Sequence, residues 1–198
     1  MRLILIRHGR PEWHLPSLLS LSQFEHMSAD YDAAHLSSEG KRAIGALAER
    51  LPPYPILSSD LLRARETAEI IGYQNRVIEF DSLFRELQAP YITSGPFDKL
   101  WAFPVIWSLV HWCCWILGIG RCAEWPRTAW HRVTQAANKI LAHSEREENI
   151  ILVSHGWFII LLSLYLRWRG LIKRGHCIPK TGYGAMTEYC LRTNDRRM

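Results

Sequence analysis

Three short apolar runs, each ending in a polar cluster, constrain the fold of this chain more than any other feature. The runs are Leu3 to Ile6, Pro55 to Leu57 and Ile150 to Val153, and helical patterns follow the last two directly. Strands that are apolar on both faces are typical of parallel sheets covered on both sides. The runs therefore predict buried parallel strands joined by crossover helices.

Helical spacing and turn signals supply the rest of the predicted fold. Capping signals precede two of the helices, and the third is so apolar that it is predicted to pack against a sheet. The alternation of strands and helices predicts a doubly wound α/β fold, a three-layer sandwich with a mostly parallel sheet flanked by helices. The predicted elements are helices at Lys41 to Leu51, after Ser37-Ser38-Glu39-Gly40, at Leu61 to Ile71, after the cap cluster Ser58-Ser59-Asp60, and at Phe158 to Leu166, with a last strand at about Ala185 to Leu191.

Length and cysteine usage place the chain in a broad class. With 198 residues it can form one core without staples, so we predict a single domain over residues 1–198, with a variable helical insertion at about 90–142. The first apolar stretch is too short for a signal peptide, which argues for a cytoplasmic location. The cysteines are odd in number and lack C-x-x-C spacing, so we predict reduced thiols, no metal site and no cofactor. They are Cys113, Cys114, Cys122, Cys177 and Cys190.

The net charge of +5 raises the question of a nucleic-acid partner. The basic residues are scattered, and a solvated surface is the usual meaning of such a distribution. The sequence therefore predicts no nucleic-acid binding and leaves part of the charge for an anionic substrate. The only concentration is a modest one near the C-terminus, at Lys173, Arg174, Arg192, Arg196 and Arg197.

A tryptophan-rich stretch interrupts the α/β pattern. The segment from Trp101 to Ile119 contains no Asp, Glu, Lys or Arg, and by hydropathy alone it resembles a membrane span. Pro104 near its start, His111 at its middle and the dispersed tryptophans favour a buried helix or a lid instead. An apolar surface of this kind is also compatible with a homodimer, with membrane association, or with a pocket for a nonpolar part of the substrate.

Chemically active side chains follow each of the three apolar runs. Arg7 and His8 end the first, Arg63 lies just past the second, and His155 ends the third. Since parallel strands end at one edge of a sheet, all four should meet in one crevice. Such a cluster of cations requires an anion, and guanidinium groups match phosphate oxygens. Gly9 and Gly156 each follow a histidine, so backbone N–H groups and the start of the helix after Gly156 are predicted to approach a phosphate.

These motifs resemble the histidine phosphatase, or phosphoglycerate-mutase-like, superfamily. The resemblance rests on the order and spacing of five motifs, and it covers residues 1–88 and 149–191. It is carried by Leu5-Ile6-Arg7-His8-Gly9, Leu36-Ser37-Ser38-Glu39-Gly40, Ser58-Ser59-Asp60-Leu61-Leu62-Arg63-Ala64 with Thr67-Ala68, Val153-Ser154-His155-Gly156, and Leu83-Phe84-Arg85-Glu86-Leu87.

The resemblance implies a metal-independent phosphatase that acts on a small phosphomonoester. Neutral His8 would attack phosphorus and become phosphohistidine, while a backbone carbonyl would hold its other ring N–H. Arg7, Arg63 and His155 would bind the phosphoryl oxygens, with Gly156 contributing to the phosphate site. Glu86 would be the proton donor, and Glu12 is a weaker candidate for that role.

Other functions are compatible with the family pattern. A phosphoglycerate mutase is the first alternative, although Leu87-Gln88-Ala89-Pro90-Tyr91 replaces the mutase-type stretch after Glu86. Glu86 argues against a phosphohistidine phosphatase, whose leaving group needs less protonation. A non-catalytic member that binds a membrane or a partner through residues 101–119 is the third alternative. Arg10, which follows Gly9, could bind a second anionic group or face solvent.

Overall fold

The computed structural model describes residues 1–14, 16–73, 76–92, 100–121, 124–144, 149–172 and 178–192. Within these ranges it contains seven strands and six α-helices. The strands are β1 (Arg2–Arg7), β2 (Leu19–Ser20), β3 (Ile56–Ser58), β4 (Ile78–Phe80), β5 (Trp101–Ala102), β6 (Ile150–Ser154) and β7 (Met186–Cys190). The helices are α1 (Leu21–Asp32), α2 (Ser38–Ala48), α3 (Leu62–Gly72), α4 (Pro104–Leu117), α5 (Pro126–Ser144) and α6 (Gly156–Trp168), with a 3₁₀ turn at Ser82–Phe84.

The main sheet has five strands in the order β4-β3-β6-β1-β7. Strands β1, β3, β4 and β6 are mutually parallel, and β7 runs antiparallel to β1. The three apolar runs form its centre, in the register Leu3 to Ile150 through Arg7 to Ser154. The predicted α/β fold with a mostly parallel sheet is confirmed.

Alternate side chains of the central strands pack on opposite faces of the sheet. Leu3 and Leu5 of β1 join a core formed with α5, α6 and one side of α4. Ile4 and Ile6 join a second core beneath α2 and α3. Strands buried on both faces need apolar residues at every position, which explains the uninterrupted runs.

The predicted caps have different outcomes. Ser37 caps α2, and its hydroxyl accepts the Gly40 N–H at 3.0 Å. The expectation that Ser58-Ser59-Asp60 caps α3 is wrong, because the N-cap is Leu61, which has no side-chain cap. Ser59 instead accepts the Leu61 N–H at 3.2 Å from outside the helix.

Helix α2 contacts the loop that follows His8 through Gly40. A methyl group on Gly40 would overlap the Arg10 carbonyl oxygen, which already accepts the Ser37 N–H at 2.9 Å. Gly45, in the same helix, has open space where a methyl group would lie.

The Gly40→Ala and Gly45→Ala variants are therefore expected to change stability in opposite directions. Gly40→Ala should lower the free energy of unfolding by about 1–3 kcal/mol, because backbone atoms must move apart. Gly45→Ala should raise it by about 0.5–1 kcal/mol, because alanine loses less backbone entropy in a helix. Urea denaturation of both proteins measures the difference, and equal stabilities would contradict the close approach at Gly40.

The tryptophan-rich segment is only partly the buried helix that its composition predicts. It forms β5 and α4, and within α4 the buried residues are Trp107, His111 and Trp115. The opposite side of α4 is exposed. A cover over the active site, also predicted for this segment, stays a prediction. No helix within the described ranges combines the length and apolarity that a bilayer span requires.

Some sequence predictions fall partly outside the described residues. Cys113, Cys114 and Cys190 are free thiols. Cys122 and Cys177 lie outside the described residues, as do Lys173, Arg174, Arg196 and Arg197.

Candidate active site

The carboxyl ends of the central strands bring the predicted residues together. Arg7 ends β1 opposite Ser154 of β6, so His8 and His155 continue from neighbouring strands. Their rings lie side by side, with centroids 5.0 Å apart. Arg63 reaches the same point from the first turn of α3, which follows β3. The topology thus brings Arg63 and His155, which follow His8 by 55 and 147 positions, next to its imidazole.

The hydrogen bonds of His8 define its tautomer. Nδ1 lies 2.8 Å from the Gly9 carbonyl oxygen, which can only accept, so Nδ1 carries the proton. Nε2 in turn accepts the Arg63 Nε–H at 3.2 Å. Burial, and then the positive charge of Arg63, hold the pKa of His8 well below its usual range, against the opposing hydrogen bond to Gly9. His8 is therefore a neutral imidazole whose Nε2 is unprotonated, with its lone pair accepting the Arg63 N–H.

Arg63 is fully buried and held on several sides. Its Nη1 donates to the Tyr31 carbonyl at 3.0 Å, and its Nη2 pairs with the Asp32 carboxylate at 3.1 Å. The guanidinium carbon also lies 4.3 Å above the Tyr31 ring. Thr67 connects α3 to the loop after His8, because its hydroxyl donates to the Arg63 carbonyl and accepts the Gly9 N–H.

Arg7 approaches from the other side of the crevice. Its guanidinium carbon lies 4.2 Å above the Tyr183 ring, and its Nη1 donates to the Thr181 carbonyl. A methyl group at Gly156 would lie 3.5 Å from the Arg7 guanidinium, so the glycine sits directly beside it. The Nε–H of Arg7 is buried and has no hydrogen-bond partner among the described residues.

His155 has a similar unpartnered nitrogen. Its Nε2 lies 2.9 Å from the Ser59 hydroxyl, which itself accepts the Leu61 N–H. We assign the Ser59 hydroxyl as the donor to Nε2, which leaves the proton of His155 on Nδ1. That Nδ1 is buried and finds no partner in the described part of the chain. Burial first, and then the charges of its neighbours, hold the pKa of His155 well below its usual range.

The two unpartnered N–H groups indicate the ligand that this crevice suits. Buried donors are almost always satisfied, so Arg7 Nε and His155 Nδ1 call for an acceptor. The crevice also carries the guanidinium charges of Arg7 and Arg63, and Asp32 pairs with only the second of these, so an anionic acceptor is favoured. A phosphate or phosphoryl group supplies both the oxygens and the negative charge.

The Glu86 side chain contacts the first turn of α6. Its carboxylate accepts the N–H groups of Leu87 at 3.0 Å, Phe158 at 2.9 Å and Trp157 at 3.3 Å. Burial raises the pKa of Glu86, although these hydrogen bonds and the charge of Arg7 oppose the rise. The Trp157 and Phe158 N–H groups of the first turn of α6 thus donate to Glu86, and the approach of this helix start to a phosphate stays a prediction.

The acidic residues near Glu86 have other partners. Arg85 forms two 2.6 Å hydrogen bonds with Asp60 rather than pairing with Glu86. Glu79 and Asp81 both pair with Lys139. Farther away, Glu12 is exposed, and the side chain of Arg10 forms an exposed ion pair with Glu39 at 2.9 Å. Asp32 is already paired with Arg63, so among these carboxylates Glu86 is the one beside the cationic cluster that has no basic side chain as its hydrogen-bond partner in the described residues.

Several residues of the site were missed in the sequence. Arg132 of α5 donates to the carbonyls of Leu83 at 2.9 Å and Arg85 at 2.8 Å, and it is anchored by Glu124. It thereby fixes the loop that carries Glu86. Its position, 46 residues after Glu86, carries no spacing signal.

Two tyrosines were also missed. The Tyr31 hydroxyl lies 3.5 Å from His8 Nε2 and 3.4 Å from the Tyr183 hydroxyl. Burial first, and then the neighbouring Tyr183, raise the pKa of Tyr31 above its usual value, so its hydroxyl stays protonated. Tyr31 stacks on Arg63, and Tyr183 stacks on Arg7. The contact between the two tyrosine hydroxyls therefore links the Arg63 side of the crevice to the Arg7 side.

Solved structures share this fold. A mycobacterial glucosyl-3-phosphoglycerate phosphatase is 22% identical, with 94% of this chain and 88% of that one covered and a TM-score of 0.60. A phosphoserine phosphatase of Entamoeba histolytica, in complex with phosphoserine, is 19% identical, with 96% and 91% covered and a TM-score of 0.62. A protein of Thermus thermophilus is 22% identical, with 95% and 92% covered and a TM-score of 0.59. At these identities the likeness concerns the fold.

A family model supplies the relationship that the fold alone leaves open. No curated protein matches the chain. Residues 3–174, however, match the model of the histidine phosphatase superfamily, branch 1. That range includes β3, β6 and all of β1 except Arg2, and every residue of the crevice described above except Thr181 and Tyr183. The chain therefore belongs to the histidine phosphatase superfamily.

Proposed function

We propose that the protein is a metal-independent phosphatase that hydrolyses a small phosphomonoester through a phosphohistidine intermediate on His8. The observation that carries the proposal is the environment of His8 Nε2. This nitrogen is unprotonated and lies 3.2 Å from Arg63 Nε, the His155 ring centroid is 5.0 Å from that of His8, and buried N–H groups of Arg7 and His155 have no partner among the described residues. A nucleophile and an anion site thus coincide.

In the first step, His8 Nε2 attacks phosphorus and the bond to the ester oxygen breaks. Arg7, Arg63 and His155 bind the phosphoryl oxygens, and their charge and N–H groups favour the transition state over the free ester. Protonated Glu86 gives its proton to the departing oxygen, so the product leaves as an alcohol. The raised pKa of Glu86 keeps it protonated closer to neutral pH than an ordinary carboxyl group.

In the second step, water attacks the phosphohistidine. Glu86, now a carboxylate, takes a proton from that water, the P–N bond breaks, and the electron pair returns to Nε2. Inorganic phosphate leaves, and the enzyme regains neutral His8 and protonated Glu86. Positive charge at the phosphoryl group comes from the two arginines, which is why the reaction needs no metal ion.

The size of the substrate is inferred from relatives. The similar structures include phosphatases named for glucosyl-3-phosphoglycerate and phosphoserine, both of which are small phosphate monoesters. Tyr31 and Tyr183, whose hydroxyls approach to 3.4 Å, also narrow the space next to His8. A small phosphomonoester is the substrate class that agrees with both observations.

The test is an assay of the purified protein in EDTA. A panel of p-nitrophenyl, sugar, nucleoside, amino-acid and lipid phosphates would be compared by phosphate release. We expect hydrolysis that survives chelation, and the preferred ester identifies the substrate class. A His8→Ala protein purified in parallel controls for contaminating phosphatases. No hydrolysis of any ester, or equal hydrolysis by both proteins, would refute the proposal.

We expect the Tyr31 hydroxyl, 3.5 Å from His8 Nε2, to donate to a phosphoryl oxygen of the bound ester, so the Tyr31→Phe variant should lower kcat/KM by about tenfold. The aromatic ring that stacks on Arg63 remains in this variant. Steady-state kinetics on the preferred ester measure the effect, with Tyr73→Phe at a highly exposed tyrosine as the matched control. Unchanged kinetics in Tyr31→Phe would remove its hydroxyl from the phosphate site.

A further inference from the structure

Helix α4 presents an outer face made of apolar side chains. The exposed positions in the helix are Val105, Ile106, Leu109, Cys113, Ile116 and Leu117, which lie on one side at helical spacing. The surface continues at both ends, through exposed Trp101 and Phe103 before the helix and Ile119 after it. We call this set the α4 face. From Leu100 to Gly120 the chain contains no Asp, Glu, Lys or Arg.

The opposite side of α4 is firmly attached to the fold. The Trp107 indole donates to the Leu19 carbonyl at 2.8 Å, and the Trp115 indole donates to the Glu124 carbonyl at 2.7 Å. His111, between them, is buried and donates to the Trp107 carbonyl. The inner side is therefore already packed, so the α4 face is a separate surface on an anchored helix.

Charge is distributed unevenly between the helices. Three acidic residues occur in α1, one in α2 and two in α3. Helices α4, α5 and α6, which share one core beneath the sheet, contain no Asp or Glu. Exposed arginines on these elements are Arg121 after α4, Arg127 in α5, and Arg167 and Arg169 at the end of α6. The exposed charged residues that adjoin the C-terminal end of α4 are therefore cationic, because Arg121 follows the face directly and Arg127 lies three residues after Glu124, whose carbonyl binds the Trp115 indole. Elsewhere α4 packs on α1, where the Glu25 carboxylate lies 3.5 Å from His111 Nε2.

We propose that the α4 face attaches the protein to an anionic lipid surface, with α4 lying in the plane of the interface. The helix has 14 residues, or about 21 Å, which is too short to span a hydrocarbon core of about 30 Å. A helix with one apolar face suits the boundary between headgroups and acyl chains, where Trp and Phe side chains are also favoured. The neighbouring arginines match the negative charge of such a membrane.

A second copy of the chain fits this surface less well. A twofold interface would bring Arg121 and Arg127 of two molecules to one contact, and like charges oppose association. The face also offers little hydrogen bonding, since the Ser108 hydroxyl already donates to the Pro104 carbonyl. A bilayer requires neither opposite charge on the protein nor hydrogen bonds from it.

Attachment through the α4 face would place the catalytic crevice close to the lipid. Trp112 of α4 stacks on Trp157, with ring centroids 4.3 Å apart. The Trp157 N–H in turn donates to the Glu86 carboxylate. Lipid binding itself needs none of the catalytic residues, so its test is independent of the proposed phosphatase activity.

The experiment is sedimentation of the full chain with vesicles of phosphatidylcholine alone or mixed with phosphatidylserine. We expect the wild-type protein to sediment with the mixed vesicles and to be released partly as salt rises above about 0.1 M. The double variant Leu109→Glu/Ile116→Glu changes two side chains that are 62% and 70% exposed, and it should bind at least about tenfold more weakly. Val77→Glu, at a side chain 74% exposed on another part of the surface, should bind like the wild type.

Circular dichroism establishes that each variant is folded. If the double variant is not, quenching by brominated acyl chains tests the same face, and Trp101→Phe should be quenched by a smaller fraction than the wild type. Wild-type protein that stays in solution with both vesicles would overturn the proposal, as would equal binding by the double variant. A wild-type dimer that the double variant converts to a monomer, without vesicle binding, would assign the face to self-association instead.

Discussion

The His8→Ala variant is expected to lose phosphomonoester hydrolysis by about 10⁴-fold or more, since removal of a nucleophile abolishes the covalent route. The Nε2 lone pair has no substitute nearby, because the Nε2 atom of His155 is bound to Ser59. Water bound in the anion site would have to attack without an activated nucleophile. Steady-state kinetics on the preferred ester measure the loss.

Rapid quenching provides a second measurement on the same variant. Wild-type protein mixed with a radiolabelled ester should form a phosphoenzyme that is stable in base and labile in acid, as expected for a P–N bond. The His8→Ala protein should form none. His131→Ala, which changes an exposed histidine of α5, should match the wild type in both measurements. A labelled phosphoenzyme in His8→Ala would place the nucleophile elsewhere.

The centre of the fold was predictable because burial on both faces leaves a simple pattern. Leu3 to Ile6 and Ile150 to Val153 are apolar at every position, and both form central strands. Strand β4 was missed because Ile78–Phe80 has only three residues, none fully buried, at the sheet edge. The direction of β7 was also left open, since strand direction depends on the connection and not on side-chain pattern.

The candidate site was predictable where its residues adjoin strand ends, and less so elsewhere. Arg7, His8 and His155 follow apolar runs directly, so topology alone brings them together. Tyr31 and Arg132 reach the site from helices whose sequences show only which side is apolar. Their contacts depend on how α1 and α5 pack, which local spacing does not encode.

The buried side of the tryptophan-rich helix α4 could not be predicted from the sequence either. A helix that is apolar all round indicates a buried or lipid-facing position, and periodicity gives no means of choosing between them. In the structure Trp107, His111 and Trp115, spaced by four, form the buried side. Neither hydropathy nor composition marks these three residues as different from their exposed neighbours.

The second large effect is expected for Glu86→Gln, which keeps the shape of the side chain but cannot donate a carboxyl proton. The kcat/KM for an alkyl phosphate, which reports the transfer to His8 and not the later hydrolysis, should fall by about 10²–10⁴-fold, the usual range for loss of a general acid. p-Nitrophenyl phosphate should lose less, because its leaving group needs little protonation. Glu12→Gln, at an exposed carboxylate, should behave like the wild type with both esters. Equal losses for both esters would indicate a structural role for Glu86.

The pH dependence gives a further test of Glu86. Because the acid form donates, wild-type kcat/KM for the alkyl phosphate should fall as pH rises through the raised pKa of Glu86. The Glu86→Gln profile should lack this fall and keep only the titration of the substrate phosphate, near pH 6. Protonation of His8 should lower kcat/KM only at pH values well below the usual pKa of histidine in both proteins, since burial and the charge of Arg63 lower the pKa of His8. Identical profiles for the two proteins would contradict Glu86 as the donor.

The same raised pKa also makes stability depend on pH. A carboxyl group whose pKa is higher in the folded than in the unfolded state binds more protons when folded. The free energy of unfolding should therefore fall as pH rises from the unfolded value, about 4.3, through the folded pKa of Glu86. Glu86→Gln removes this fall. The Tm of the variant minus that of the wild type should therefore be larger above this pH range than below it. Thermal unfolding across that range measures the difference. If Glu86→Gln is inactive and its Tm relative to the wild type rises with pH, then burial of the Glu86 carboxylate destabilises the folded protein while its acid form serves the reaction.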